Sequence, residues 1–62
     1  MSTEILIVDD NSEIRTILQE IISDSGYTTR LAANYNQALS EIDKKLPDVA
    51  IIDVKLDKSD ND

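Results

Sequence analysis

The sequence predicts an α/β fold: a parallel sheet of three strands in the order 2-1-3, joined by two helices. Three observations lead to it. Ile5-Leu6-Ile7-Val8 and Val49-Ala50-Ile51-Ile52-Asp53-Val54 are short apolar runs rich in β-branched residues, and such runs read as strands of a parallel sheet. The segments between them repeat apolar residues with a helical period. The elements alternate strand, helix, strand, helix, strand, and that alternation implies parallel pairing through right-handed crossovers.

The first strand ends at Asp9-Asp10-Asn11. Ile14, Ile17, Leu18, Ile21 and Ile22 then fall on one face of a helix. Asn11 or Ser12 can cap its start, and Glu13 lies in the first turn, where the helix dipole favours an anion. Gly26, the only glycine, stands where a left-handed residue ends a helix. Thr28-Thr29-Arg30-Leu31-Ala32 is a second, more polar strand, suited to a sheet edge. Asn34 with Gln37 is a variant of the capping box. Ala38, Leu39, Ile42 and Leu46 mark a second amphipathic helix, with Lys44 and Lys45 at its C-terminal end and Pro47 beyond. After Leu56 the chain becomes a polar tail. One partial domain over residues 1–62 is expected, with strands and helices over 4–54 and the tail over 55–62.

Polarity sets the strand order. The two apolar strands are expected as neighbours, with the polar second strand flanking the first. Strands one and three then meet where the chain path reverses, and ligands bind at the carboxyl ends of strands at such a point.

Composition narrows the chemistry. A chain of 62 residues makes one small domain, burying only about 60% of its unfolded surface. Thirteen acids against 6 bases give a net charge of −7, which disfavours nucleic acid and anionic lipid and suits a cation or a basic protein surface. With no cysteine there is neither a disulfide nor a thiolate metal site. The opening Met1-Ser2-Thr3-Glu4 lacks the features of a signal peptide, and no apolar run approaches the roughly 20 residues of a membrane span. The expected setting is cytoplasmic, without a membrane partner.

Asp9 and Asp10 end strand one and Asp53 ends strand three, so the 2-1-3 order brings all three to one crevice. Carboxylates held together repel. A proton or a bound cation relieves them, and Mg²⁺ suits such a site because it takes oxygen ligands, often one or two carboxylates, and keeps several waters. Asp9-Asp10 alone is also an ordinary turn and helix-start signal. Asp53, a carboxylate ending an apolar strand, carries a desolvation cost with no structural return.

Ile5 to Asn11, the helix containing Ile14-Arg15, and Pro47-Asp48-Val49-Ala50-Ile51-Ile52-Asp53-Val54 together resemble the bacterial response-regulator receiver domain. The likeness covers essentially the whole chain. It implies the N-terminal βαβαβ half of a flavodoxin-like (CheY-like) doubly wound sheet, whose full order is 2-1-3-4-5. It also implies that Asp53 accepts a phosphoryl group from a sensor histidine kinase. The Mg²⁺ site would consist of Asp9, Asp10, Asp53 and the backbone carbonyl of Lys55, with Asp10 a direct ligand. Such a module promotes its own phosphotransfer and is not a free-standing enzyme. Many receivers carry proline soon after the acceptor. Here Leu56 is followed by Asp57-Lys58-Ser59-Asp60-Asn61-Asp62, which resembles the NtrX-like branch of nitrogen-regulation response regulators.

Receivers read the phosphate with a Ser or Thr on strand four and a Lys on strand five. Both strands are expected to be missing here, so the chain is expected to keep the metal site without the switch and not to signal alone. Its third strand would then be an open apolar edge, and homo-oligomers through that edge are expected. The alternative function is a self-associating structural fragment with an idle acidic site. An aspartyl-phosphate phosphatase is disfavoured by the adjacent Asp9-Asp10, which lacks Asp-x-Asp spacing. Dinucleotide binding is disfavoured because no Gly-rich turn follows the first strand.

Overall fold

The computed structural model describes residues 2–53. Its elements are β1 (Glu4–Asp9), α1 (Ser12–Asp24), β2 (Thr28–Ala32), α2 (Tyr35–Lys44) and β3 (Val49–Asp53). Val54, expected in the third strand, and the expected tail over residues 55–62, Lys55 included, lie outside the described residues. The strands form one parallel sheet in the order β2-β1-β3, as polarity predicted.

The central strand is the core. Ile5, Leu6, Ile7 and Val8 are all buried, Leu6 and Ile7 completely. Side chains alternate across a strand. Leu6 and Val8 pack with Ala32, Ala38 and the flank of Ile42 beneath α2. Ile5, Ile7 and Asp9 point to the other face. The chain crosses from β1 out to β2 and returns past β1 to β3, and with the right-handed crossovers usual for parallel strands these opposite directions put one helix on each face.

The ends of α1 form as its residues dictate. The Asn11 side chain accepts from the backbone N–H groups of Glu13 and Ile14 at 2.9 and 3.1 Å. Ser25 closes the last turn, and Gly26 follows with φ +95°. In α2, Asn34 accepts from the Gln37 N–H at 2.8 Å. Gln37 accepts from the N–H of Ala33, not from that of the cap itself. The box is therefore displaced by one residue at its return bond.

Neither helix reaches β3. Both lie over β1 and β2, so among the described residues β3 is left uncovered by a helix, with Ile52 68% accessible. The apolar face of α1 is divided for the same reason. Leu18 and Ile22 are half-buried against the sheet, whereas Ile14, Ile17 and Ile21 are exposed. No described helix is long and apolar enough to cross a membrane.

An ionic cluster ties α2 to the start of the sheet. Arg30, 18% accessible, pairs with Glu4 at 3.2 Å and Glu41 at 3.1 Å. It also donates to the carbonyls of Glu41 and Lys45. Lys44 donates to the second oxygen of Glu41 at 3.2 Å. The Lys44 and Arg30 bonds hold the Glu41 carboxyl below its ordinary value of 4.5.

Two predictions follow from these contacts. Nothing lies within 4 Å of where a Cβ on Gly26 would stand, so Gly26→Ala meets only the backbone penalty of a positive φ. A loss of about 1–2 kcal/mol in denaturant unfolding is expected, with a smaller loss for Gly26→Asn. Because the Glu41 pKa is lowered on folding, its contribution to stability is complete above the ordinary value of 4.5 and is lost as pH falls through the lowered one. Melting temperatures measured across that acid range should therefore fall less steeply for Glu41→Gln than for the parent chain.

Candidate functional site

At the carboxyl ends of β1 and β3 the sheet presents acids. The register Ile5↔Val49 through Asp9↔Asp53 sets Asp9 directly beside Asp53 on the neighbouring strand. Two hydrogen bonds at the other end of this pair hold that register. The Asp48 side chain accepts from the Glu4 N–H at 2.8 Å, and the Asp48 N–H donates to the Glu4 carbonyl at 2.9 Å.

Asp9 is only 2% accessible. Its Oδ1 accepts from the Asn11 N–H at 2.9 Å, while Oδ2 is buried with no partner. Leaving a buried carboxylate oxygen unpaired is costly. Asp10 and Asp53 are exposed. Asp9, Asp10, Asn11, Ile14 and Asp53 line one cleft of about 240 Å³. The three acids singled out in the sequence thus border a common space; the Lys55 carbonyl lies outside the described residues.

The N-terminus of α1 opens beside this cleft but does not act as an anion cradle. Its N–H groups at Glu13 and Ile14 are already taken by Asn11. The cleft therefore keeps the character of its carboxylates and favours a cation. The unpaired Asp9 Oδ2 fits that role: it is a hard oxygen donor with no hydrogen-bond partner. Among the described residues no three His, Cys, Asp or Glu side chains converge as a complete metal cage. Mg²⁺, which often takes one or two carboxylates and keeps several waters, is compatible with buried Asp9 beside exposed Asp10 and Asp53.

Arg15 is a contact that sequence reasoning did not assign. Its Nη1 donates to the Asp9 carbonyl at 2.6 Å. The available signal was a long cationic side chain just inside the helix that follows the acidic turn.

The chain is 45% identical over 56 residues to Sporulation initiation phosphotransferase F of Bacillus subtilis (strain 168), covering 90% of this chain and 45% of that protein. It is 39% identical over 59 residues to a Putative response regulator NtrX-like of Rickettsia bellii (strain RML369-C), covering 95% of this chain and 12% of that one. Against the Alkaline phosphatase synthesis transcriptional regulatory protein PhoP of Bacillus subtilis (strain 168), identity is 38% over 60 residues, covering 97% and 25%. The chain thus spans less than half the length of each of these relatives. The NtrX-like resemblance read from the tail is present among them. No solved structure gives a significant match. The family described as "Response regulator receiver domain" matches residues 5–60. That match takes in both helices and the three strands except Glu4 at the start of β1, and the chain belongs to the response regulator receiver domain family.

Proposed function

We propose that this chain carries the phosphoacceptor site of a two-component response regulator, with Asp53 as the acceptor. The observation that carries the reading is the in-register pair Asp9↔Asp53 at the mouth of an acidic cleft, with one oxygen of Asp9 buried and unpaired. Asp53 is exposed, so a partner's phosphohistidine can approach it. A carboxylate oxygen of Asp53 bonds to phosphorus as the bond from phosphorus to the donor imidazole nitrogen breaks. The products are an acyl phosphate on Asp53 and a free histidine on the sensor kinase. Asp9, Asp10, Asp53 and the Lys55 carbonyl would hold Mg²⁺, which when bound neutralises charge on the transferring oxygens. Asp9 is a fixed ligand by burial, and Asp10, at the rim, is free to adjust.

Residues 1–62 are proposed to be part of a receiver domain, with 55–62 as a polar segment, that works in the cytoplasm with a sensor histidine kinase. It does not bind nucleic acid directly: a net charge of −7 repels phosphate backbones. It promotes transfer onto its own side chain and turns over no separate substrate.

The test is phosphorylation by a small phosphoramidate donor, read by intact mass and peptide mapping. The expected product is a low-yield, Mg²⁺-dependent phosphoryl adduct on Asp53, absent in Asp53→Asn and after chelation. Undiminished adduct in Asp53→Asn would overturn the assignment.

A second reading, self-association with an idle acidic site, is favoured by one observation. β3 is an edge strand with Val49 and Ile52 exposed, and a bare apolar edge is a template for pairing. Sedimentation should then show a dimer or larger species that Ile52→Lys shifts to monomer. A compact monomer for the parent chain excludes this reading.

A further inference from the structure

We infer that Arg15 is a positioning residue for the cation-binding carboxylate of Asp9. The inference rests on the cleft being a Mg²⁺ site. The β1–β2 ladder ends at Val8↔Ala32, one residue short of Asp9. On the β2 side, the last residue of β1 therefore has no strand partner, although β3 continues beside it to Asp53. Arg15 supplies the missing hold. It reaches back from the first turns of α1, half-buried, and its Nη1 donates to the Asp9 carbonyl at 2.6 Å.

Where the guanidinium goes is as informative as where it does not. Asp9 and Asp10 border the cleft beside it, yet among the described residues the bases in ion pairs are Arg30, Lys44 and Lys45. Arg15 binds backbone and leaves the carboxylates unpaired. Two hydrogen bonds then fix Asp9: Arg15 holds its carbonyl, and the Asn11 N–H holds Oδ1. The lone pairs left over are those of the buried Oδ2. A side chain restrained at both its backbone and one oxygen presents the other oxygen with little freedom to lose on binding, and partners that orient a ligand in this way commonly contribute 10–100-fold to metal affinity.

The test is Mg²⁺ titration of the full 62-residue chain by calorimetry, with the Asn11 amide followed by NMR, since its N–H marks the position of Asp9 Oδ1. Arg15→Met should weaken Mg²⁺ binding by roughly tenfold and move the Asn11 amide resonance before any metal is added. Arg15→Lys should restore part of the affinity. Asn34→Ala, which removes the cap of α2 away from the cleft, is the control for lost stability and should bind as the parent does. Equal affinity in the parent and Arg15→Met overturns the inference while leaving the metal site standing. So does an equal loss in Arg15→Met and Asn34→Ala, which would mean that Arg15 acts only through stability. A parent chain that binds no Mg²⁺ overturns the metal site itself, and the inference with it.

Discussion

The pairing of β1 with β3 is the constraint on which the site depends. Asp9 and Asp53 are 44 positions apart in the chain, as are Glu4 and Asp48. The paired hydrogen bonds between Glu4 and Asp48 close one end of the ladder, and the in-register run of apolar residues carries the alignment to Asp9↔Asp53 at the other. In a parallel pair, a slip by one residue would turn every β3 side chain to the opposite face. Asp53 would then leave Asp9, while Leu6 and Ile7 would still have apolar neighbours on β3. The alignment is thus held by polar contacts at the end of the sheet remote from the chemistry.

The two ends of the sheet treat charge in opposite ways. At the start of β1, the terminal nitrogens of Arg30 gather Glu4, Glu41 and two carbonyls, so the opposite charges are paired although Arg30 Nε is itself buried without a partner. At the end of β1, Asp9 keeps a buried oxygen without any partner. Structures tend to concentrate such local violations where function demands them and to offset them elsewhere. The matched cluster also anchors the C-terminal end of α2 beside β1, and so contributes to covering the Leu6–Val8 face that supports the acidic turn.

Coverage by the helices is uneven. Because both lie over β1 and β2, β3 and one side of α1 carry exposed apolar side chains, including Ile14, which also borders the acidic cleft. The core is correspondingly small and centred on a single strand. The same asymmetry keeps Asp53 open to solvent while its neighbour Asp9 is buried, so one acid of the pair is reachable and the other is rigid.

The sequence alone determined the elements and their order. Helical periodicity marked α1 and α2, cap residues Asn11 and Asn34 marked their starts, and Gly26 marked the end of α1, because these signals act over one or two turns of chain. Polarity was enough to put β2 at an edge and β1 in the centre, and strand ends then nominated Asp9, Asp10 and Asp53. Tertiary structure alone decided which oxygen of Asp9 is left without a partner, that Gln37 returns to Ala33 rather than to its cap, and that Arg15 grips the Asp9 carbonyl. It also decided that Ile14, Ile17 and Ile21 face solvent although they share the α1 stripe with Leu18 and Ile22. The physical reason is common to these cases. Periodicity reports which residues prefer burial, but the partner a side chain or backbone group finds depends on where a neighbouring ladder stops and how far a helix extends across the sheet.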